Sequence, residues 1–399
     1  MAATKRSKTP AKRSSRKKAA AVVTTAVKSP QDKSERSKSQ PRKKSIVKKS
    51  KKTPPAMLSS EPPTSFLDRL QKRAQDNELE PTNTPDSLFL ILCLLQTAVA
   101  YLLSSLLDHH LFFSQGIFLN AATVSLCVHW CGFAFSSLIG SCKFFDITED
   151  IGMIYMLYSA YQTIRGTPTL RQTTVFYCAS LWGLRLVSFV GYRVLVRGRD
   201  FRFDKLIKAP AYNLFGWTSG GSWCWINGFC LWALASNVDD RSGPLTWLDL
   251  IGLAIFVFGL FIETIADLQK YSFNVNTKSG QNTTWIASGL WGSWSRHPNY
   301  VGEIVVWVGL AIVCMGGADS SWLGGYGASE VFAKNALRLA TVLITPVWSM
   351  FFLVFTSMML LEKRGDAKWS DSKSWNQYKK NTPVLFPDRL PTMLEMRLS

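Results

Sequence analysis

None of the eight cysteines stands in a Cys-x-x-Cys pair. That absence removes the usual zinc-ribbon and redox-pair readings. Cys127, His129 and Cys131 lie close together, but steps of two residues put them on different faces of a helix. Zinc wants four convergent ligands, so no metal site is expected. Most of the cysteines sit inside apolar runs and read as packing residues, with no disulfide framework implied. An apolar h-region near Met1 is also lacking, so no cleavable secretory signal is expected and the first hydrophobic span would serve as an uncleaved anchor. A Rossmann fingerprint is missing as well. Gly324-Gly325-Tyr326-Gly327 has no third glycine and no strand–helix context, and it reads as a flexible loop on the non-cytosolic side.

Acids are scarce at the start of the chain. Residues 1–56 hold 19 Lys/Arg against Asp32 and Glu35. The remaining 27 basic and 25 acidic residues nearly balance, so the net charge of +19 describes a tail and not a fold. Residues 1–60 contain no aromatic residue. Such a segment cannot bury a core and is expected to be disordered. A run of Lys/Arg of this kind suits non-specific binding to nucleic acid or anionic lipid. Residues 61–86 follow as a polar lead-in with four prolines.

Apolar runs dominate from there. Spans are expected near 87–107, 117–140, 149–164, 172–195, 221–236, 246–266, 300–317 and 337–361, two of them short against the ~20 residues a membrane helix needs. The fold class is therefore an all-α polytopic transmembrane bundle of about seven or eight spans. Arg197, Arg199, Arg202, Lys205 and Lys208 follow the fourth span, and the C-terminal segment is also basic. Loop 237–245 carries Asp239 and Asp240 against one arginine. The positive-inside rule puts the first two in the cytosol and the third across the membrane, with both termini cytosolic. Asn282-Thr283-Thr284 is a formal glycosylation sequon that this topology leaves bare. Asp108-His109-His110, at a span end, reads as a hydrated interface.

Four stretches carry chemistry. In Gly289–Glu303, Pro298 suits a first helical turn. Asn299, Glu303 and Trp307 then recur at i, i+4 and i+8 on one face. Arg296 and His297 precede this helix and form an expected anion site with its N-terminus. Glu303 lies in an apolar run, where a carboxylate is costly and generally functional. In the second stretch, Glu263, Asp267 and Lys270 share a helix face. In the third, Leu181-Trp182-Gly183-Leu184-Arg185, Arg185 is an arginine in mid-span that needs a carboxylate or a phosphate. The fourth is Glu362-Lys363-Arg364, followed by Trp375, Tyr378 and Thr382-Pro383-Val384-Leu385-Phe386-Pro387.

Trp-x-x-Ser-Arg-His-Pro-Asn-Tyr-x-Gly-Glu resembles the signature of the steroid 5α-reductase C-terminal-like family. The other three stretches occur in that family's order, and the similarity covers about residues 145–390. It implies a helical membrane fold that holds NADPH between its C-terminal helices and cytosolic loops. Carried over by position, Asp267, Arg296, His297, Asn299, Tyr300 and Glu303 are the cofactor candidates, with Arg185, Glu263, Lys270, Glu362, Arg364 and Tyr378 as additions. Tyr300 or Tyr378 would donate a proton. The chain then divides into a basic tail (1–60), a lead-in (61–86), N-terminal spans (87–144), a reductase-like domain (145–390) and a C-terminal tail (391–399).

The expected activity is NADPH-dependent reduction of a C=C bond in a lipid or steroid-like substrate, in the endoplasmic reticulum or nuclear envelope. Two readings compete. Isoprenylcysteine carboxyl methyltransferases share an Arg-His-Pro-x-Tyr-x-Gly-like element and use S-adenosylmethionine; Asn299 together with Glu303 favours the reductase. A membrane tether acting through residues 1–56 needs no catalysis at all, and it is compatible with either enzyme.

Overall fold

A computed structural model describes residues 84–164, 166–197, 206–236, 244–278, 285–316 and 329–397. The basic tail, most of the lead-in, Arg199, Arg202, Lys205, Asp239, Asp240, the sequon at Asn282 and the glycine loop at Gly324 lie outside these residues. Every regular element among the described residues is helical, as the apolar periodicity predicts. The helices are α1 (Asp86–Leu106), α2 (Ile117–Ile139), α3 (Phe145–Gln162), α4 (Leu170–Arg197), α5 (Pro210–Asn227), α6 (Phe229–Ser236), α7 (Trp247–Lys278), the single turn α8 (Leu290–Ser293), α9 (Pro298–Gly316), α10 (Ser329–Phe352), α11 (Met359–Trp369) and α12 (Lys373–Asn381). A π-helical turn, Leu353–Met358, joins α10 to α11.

Six helical stretches are long and apolar enough to cross a membrane: Asp86–Leu111, Ile117–Ile139, Leu170–Leu195, Trp247–Asn276, Pro298–Gly316 and Ala333–Trp369. Helices α3, α5 and α6 fall short by length or composition. Their contacts nevertheless make them passes through the bundle. Helices α4 and α7 run parallel: Arg171 pairs with Asp249, Arg185 with Glu263 and Asp267, and the Tyr271 hydroxyl meets that of Tyr192 at 2.9 Å. Two consecutive parallel helices require a return between them. That return is α5–α6. Its start is tied to the Arg193 end of α4, where Cys142 meets Asn213 at 3.4 Å. Its finish is at the Arg171 end, where Gln172 donates to the Leu234 carbonyl at 3.0 Å. Helix α3 likewise begins at Asp146, paired with Arg193, and ends near Phe176, on which Tyr161 packs. The described chain thus makes eight alternating passes, and α1 starts at the same end at which α11 finishes. We call that end, which holds Asp267, the site end.

Burial explains why the fifth pass, α5–α6, looks short. Helix α6 is buried along its whole length, Phe229 to Ser236, and 11 residues of α5 are buried. Lipid does not touch such helices, so they need not be uniformly apolar. The far end is closed by a bidentate pair. Arg171 Nε and Nη2 meet the Asp249 carboxylate at 2.8 and 2.9 Å, and Thr246 donates to the same group through its backbone N at 2.6 Å.

Helices α7 and α9 are packed closest. Glycines stand seven apart on both: Gly252 and Gly259, against Gly302, Gly309 and Gly316. A Cβ on Gly259 would lie 2.6 Å from the Val306 amide nitrogen, and one on Gly309 would lie 2.5 Å from that of Phe256. Only glycine permits this approach, and small-residue faces are how membrane helices gain contact without a hydrophobic driving force. One expectation is corrected at the turn before α2. Asp108 is not hydrated but fully buried, and it accepts from the backbone N–H groups of Phe118 (3.1 Å) and Leu119 (2.9 Å), capping α2 from outside. His109 and His110 are exposed.

Candidate active site

Helix α4 supplies Trp182 and Arg185 one turn apart, and α7 supplies Glu263 and Asp267 one turn apart. Arg185 divides its guanidinium between the two acids, Nη1 to Glu263 Oε1 at 2.7 Å and Nη2 to Asp267 Oδ2 at 2.8 Å. Trp182 Nε1 donates to the other Glu263 oxygen at 3.0 Å. Mid-span Arg185 thus finds carboxylates, as its cost in lipid demands. Its Trp-x-x-Arg spacing matches the Glu-x-x-x-Asp spacing opposite. The Trp182 ring also packs edge-on against Trp307, with centroids 4.9 Å apart.

The glycine face of α9 then sets the next carboxylate. A Cβ on Gly302 would meet the Glu263 backbone nitrogen at 2.5 Å. Glu303 therefore enters the same volume, in electrostatic range of Glu263, Asp267, Asp150 and Arg185. It is half-buried, and no hydrogen bond is made to it among the described residues. Asp150, from α3, is 6% exposed, and its Oδ2 has no hydrogen-bond partner among the described residues. Four carboxyl groups from three helices share one place with a single bonded guanidinium. Asp150 escaped the sequence reading because it sits near the start of the short third run; an acid one turn inside an apolar stretch was the available signal.

At the site end the chain folds over this cluster. Gly289 has φ +60°, and a Cβ there would strike the Gln269 amide at 2.4 Å. Gln269 accepts from the Leu290 amide at 3.0 Å and donates to the carbonyls of Glu395 (2.7 Å) and Arg397 (2.8 Å). The glutamine of the Asp-x-Gln-Lys run is thus a clamp for the loop and the C-terminal segment. Ser295 donates to the Leu385 carbonyl, Thr382 to that of Gly292 and Trp294 Nε1 to that of Arg389. Lys270 lies over the Trp291 ring at 4.7 Å. Tyr378 donates its hydroxyl proton to the Trp291 carbonyl at 2.7 Å, and burial pushes its pKa up. Its hydroxyl is therefore a strut, poorly suited to the proton transfer considered for it.

Helix α9 starts at Pro298, as the motif predicts. Just before it, Arg296 Nη2 and His297 Nε2 both reach Glu362, at 3.1 and 3.0 Å. Glu362 thereby orients the other two, while Arg364 lies half-buried two residues further along α11. His297 stacks on Tyr300, with centroids 5.3 Å apart and planes 11° apart. Four polar atoms in this short segment are buried with no hydrogen-bond partner among the described residues: Arg296 Nε and Nη1, His297 Nδ1 and Asn299 Oδ1. Burial lowers the His297 pKa, which leaves the ring neutral at ordinary pH. With Nε2–H directed to Glu362, Nδ1 is then an acceptor. The open edge of Arg296 presents two donors that an anion could take, and His297 offers a lone pair instead.

The candidates therefore fall into two adjoining groups. One comprises Arg185, Glu263, Asp267 and Glu303, together with Asp150. The other comprises Arg296, His297, Asn299, Tyr300 and Glu362, with Lys270, Arg364 and Tyr378 around them. Asp267 and Lys270 are in electrostatic range of each other, so the groups are continuous along α7. No curated protein and no solved structure matches the chain. Residues 132–382, more than half of the chain and all of the site up to Thr382, match a family described as a protein of unknown function, DUF1295. The chain belongs to the DUF1295 family of steroid 5α-reductase-like membrane proteins.

Proposed function

We propose that the protein is a membrane oxidoreductase that uses NADPH to reduce an electron-poor C=C bond in a lipid. The observation that carries this reading is the set of four unpartnered buried atoms on Arg296, His297 and Asn299 beside an acidic cluster. A buried donor without an acceptor is costly. A ligand with phosphate, hydroxyl and amide groups would satisfy all four. The open edge of Arg296 suits a phosphate at the start of α9. Neutral His297 Nδ1 and Asn299 Oδ1 suit hydroxyl or amide donors. Glu303, lacking a hydrogen bond of its own, would accept from further hydroxyls or an amide.

The residues fit the cofactor on those grounds, and bound NADPH would supply a hydride to the β-carbon of an enone. The chain has to supply the rest. A proton must reach the α-carbon or the carbonyl oxygen. Asp150 is placed to hold it, with a bare buried oxygen in range of Glu263 and Glu303. Arg185 holds Glu263 and Asp267 in position and offsets part of their charge. The loop from Gly289 to Ser295, pinned to Gln269 through the Leu290 amide, would limit the entry of water from the site end.

The test is ligand-dependent melting of the purified full-length protein. NADPH should raise the melting temperature and S-adenosylmethionine should not. The opposite result would assign the site to methyl transfer, the alternative that shares part of this motif.

A further inference from the structure

The cap at the site end has two unlike surfaces. Along α12 the exposed residues are Lys373, Ser374, Asn376, Gln377 and Lys380, all polar. The segment that follows instead exposes Phe386 (54%), Leu390 (75%), Met393 (80%) and Leu394 (70%). These side chains stand on a turn that is firmly held from its other side. Buried Glu395 accepts from the Thr392 backbone N at 2.8 Å, from Arg389 Nη1 and Nη2 at 2.9 and 2.7 Å, and from the Ser293 hydroxyl in the loop over the site. Met396 packs inward with Leu290, Trp294 and Leu385. Gln269 takes the carbonyls of Glu395 and Arg397. Gln269 also sets the depth of the turn. It lies 20 residues beyond Asp249 on α7, or about 30 Å at 1.5 Å per residue, the thickness of a bilayer's hydrocarbon core. With Asp249 at the far edge of that layer, the turn clamped to Gln269 lies at the near edge. Leu268, next to Gln269, is itself exposed on the outside of α7.

We infer that Phe386, Leu390, Met393 and Leu394 form an interfacial anchor, seated between the headgroups and upper acyl chains of the phospholipid leaflet at the site end, and that this seat holds the loop over the site. At this level the medium outside a membrane bundle is lipid, and a cluster of large apolar side chains that water would disfavour is stable there. Arg389, 44% exposed, and the exposed Arg397 flank the cluster, where headgroup phosphates lie. The polar face of α12 is left to water. The link to the loop is Glu395 and Gln269 together. Glu395 joins the turn to Ser293, and Gln269 joins the same turn to the Leu290 amide. Lifting the turn out of the lipid would strip both connections from the loop. The inference does not depend on which reaction the site performs.

The test uses full-length protein in phosphatidylcholine nanodiscs. Nitroxide labels are placed at Met393→Cys and, as the water-facing control, at Gln377→Cys, in a background without the exposed Cys127 and Cys131. Collision with oxygen, which concentrates in lipid, is compared with collision with a nickel chelate, which stays in water. The label at 393 should favour oxygen and the label at 377 should favour nickel. A label at 393 as open to nickel as the control would overturn the inference. So would one shielded from both, because a second copy of the chain or another protein would then cover the patch. The link to the loop is read by hydrogen exchange in the same discs. Leu390→Ser, Met393→Ser and Leu394→Ser, combined, remove the apolar side of the turn and leave Glu395 in place. They should speed exchange of the Leu290 and Ser295 amides by about tenfold or more, as a local opening does, while α7 and α9 exchange as in wild type. Unchanged exchange at Leu290 and Ser295 would overturn the link to the loop. Faster exchange throughout α7 and α9 would overturn it too, since the turn would then support the whole bundle and not the loop.

Discussion

Glu303 is the residue on which the site can be tested most directly. It enters a volume already holding Asp150, Glu263 and Asp267, and no bond ties it to the fold. Glu303→Gln keeps its shape and should leave ligand-free melting at or above the wild-type value. NADPH affinity should fall by about 1–3 kcal/mol, the range for a charge-assisted hydrogen bond, as read by titration. A variant that melts early yet binds normally would show Glu303 to be a packing residue. His297 gives a pH signature. Burial lowers its pKa in the folded protein, so the unfolded chain binds the proton more readily. Stability should be complete above the unfolded value of about 6.5 and fall as pH drops below it. His297→Phe keeps the stack on Tyr300 and should flatten that slope in thermal melts between pH 7 and 5. At this scale the sequence was legible where an ionisable group sat in an apolar run. Arg185, Glu263 and Glu303 were each found that way. It was silent on partners. That Glu362 would hold Arg296 and His297, and that Tyr378 would brace a carbonyl, depends on contacts 65 or more residues apart.

Between elements, the interface that positions Glu303 is made of glycine. Adding a side chain at Gly309 would place Cβ 2.5 Å from a backbone nitrogen that cannot move aside. Gly309→Val should therefore separate α7 from α9, with a loss of about 1–3 kcal/mol or more from overpacking and a parallel loss of ligand binding. Gly191, in α4, has nothing within 4 Å of a built Cβ. Gly191→Ala should instead be neutral or stabilise by up to about 1 kcal/mol. Thermal melts of the two variants side by side separate helix contact from glycine's intrinsic cost; equal effects would refute the glycine interface. The seven-residue glycine spacing was visible in the sequence, but it gives no partner by itself. Helix positions were readable from hydropathy, and Pro298 marked the start of α9. The short third and fifth runs were readable as passes only because their neighbours were. Burial among other helices relaxed the apolar composition that hydropathy relies on.

For the molecule as a whole, eight alternating passes gather the ends of α4 and α7, the loop over Gly289, the start of α9, and α11 and α12 at one end. The Arg171–Asp249 pair closes the other. Asp249 and Asp267 are 18 residues apart on one helix, or about 27 Å at 1.5 Å per residue, close to the thickness of a bilayer core. The two ends must therefore face different compartments. The basic segments around Lys373–Lys380 belong to the site end, and we propose from the positive-inside rule that this end is the cytosolic one, where NADPH would reach it. Ser374 is exposed there and Thr167 is exposed at the far end. Each can be replaced by cysteine in a background from which the exposed Cys127 and Cys131 have been removed. In sealed microsomes with the cytosolic face outward, an impermeant maleimide should label Ser374→Cys at once and Thr167→Cys only after detergent. The reverse pattern would put the site in the lumen and remove the ready supply of cytosolic NADPH. Labelling of both before detergent would contradict the two-ended arrangement itself, because it would place Arg171–Asp249 and Arg296–Glu362 on the same side of the membrane.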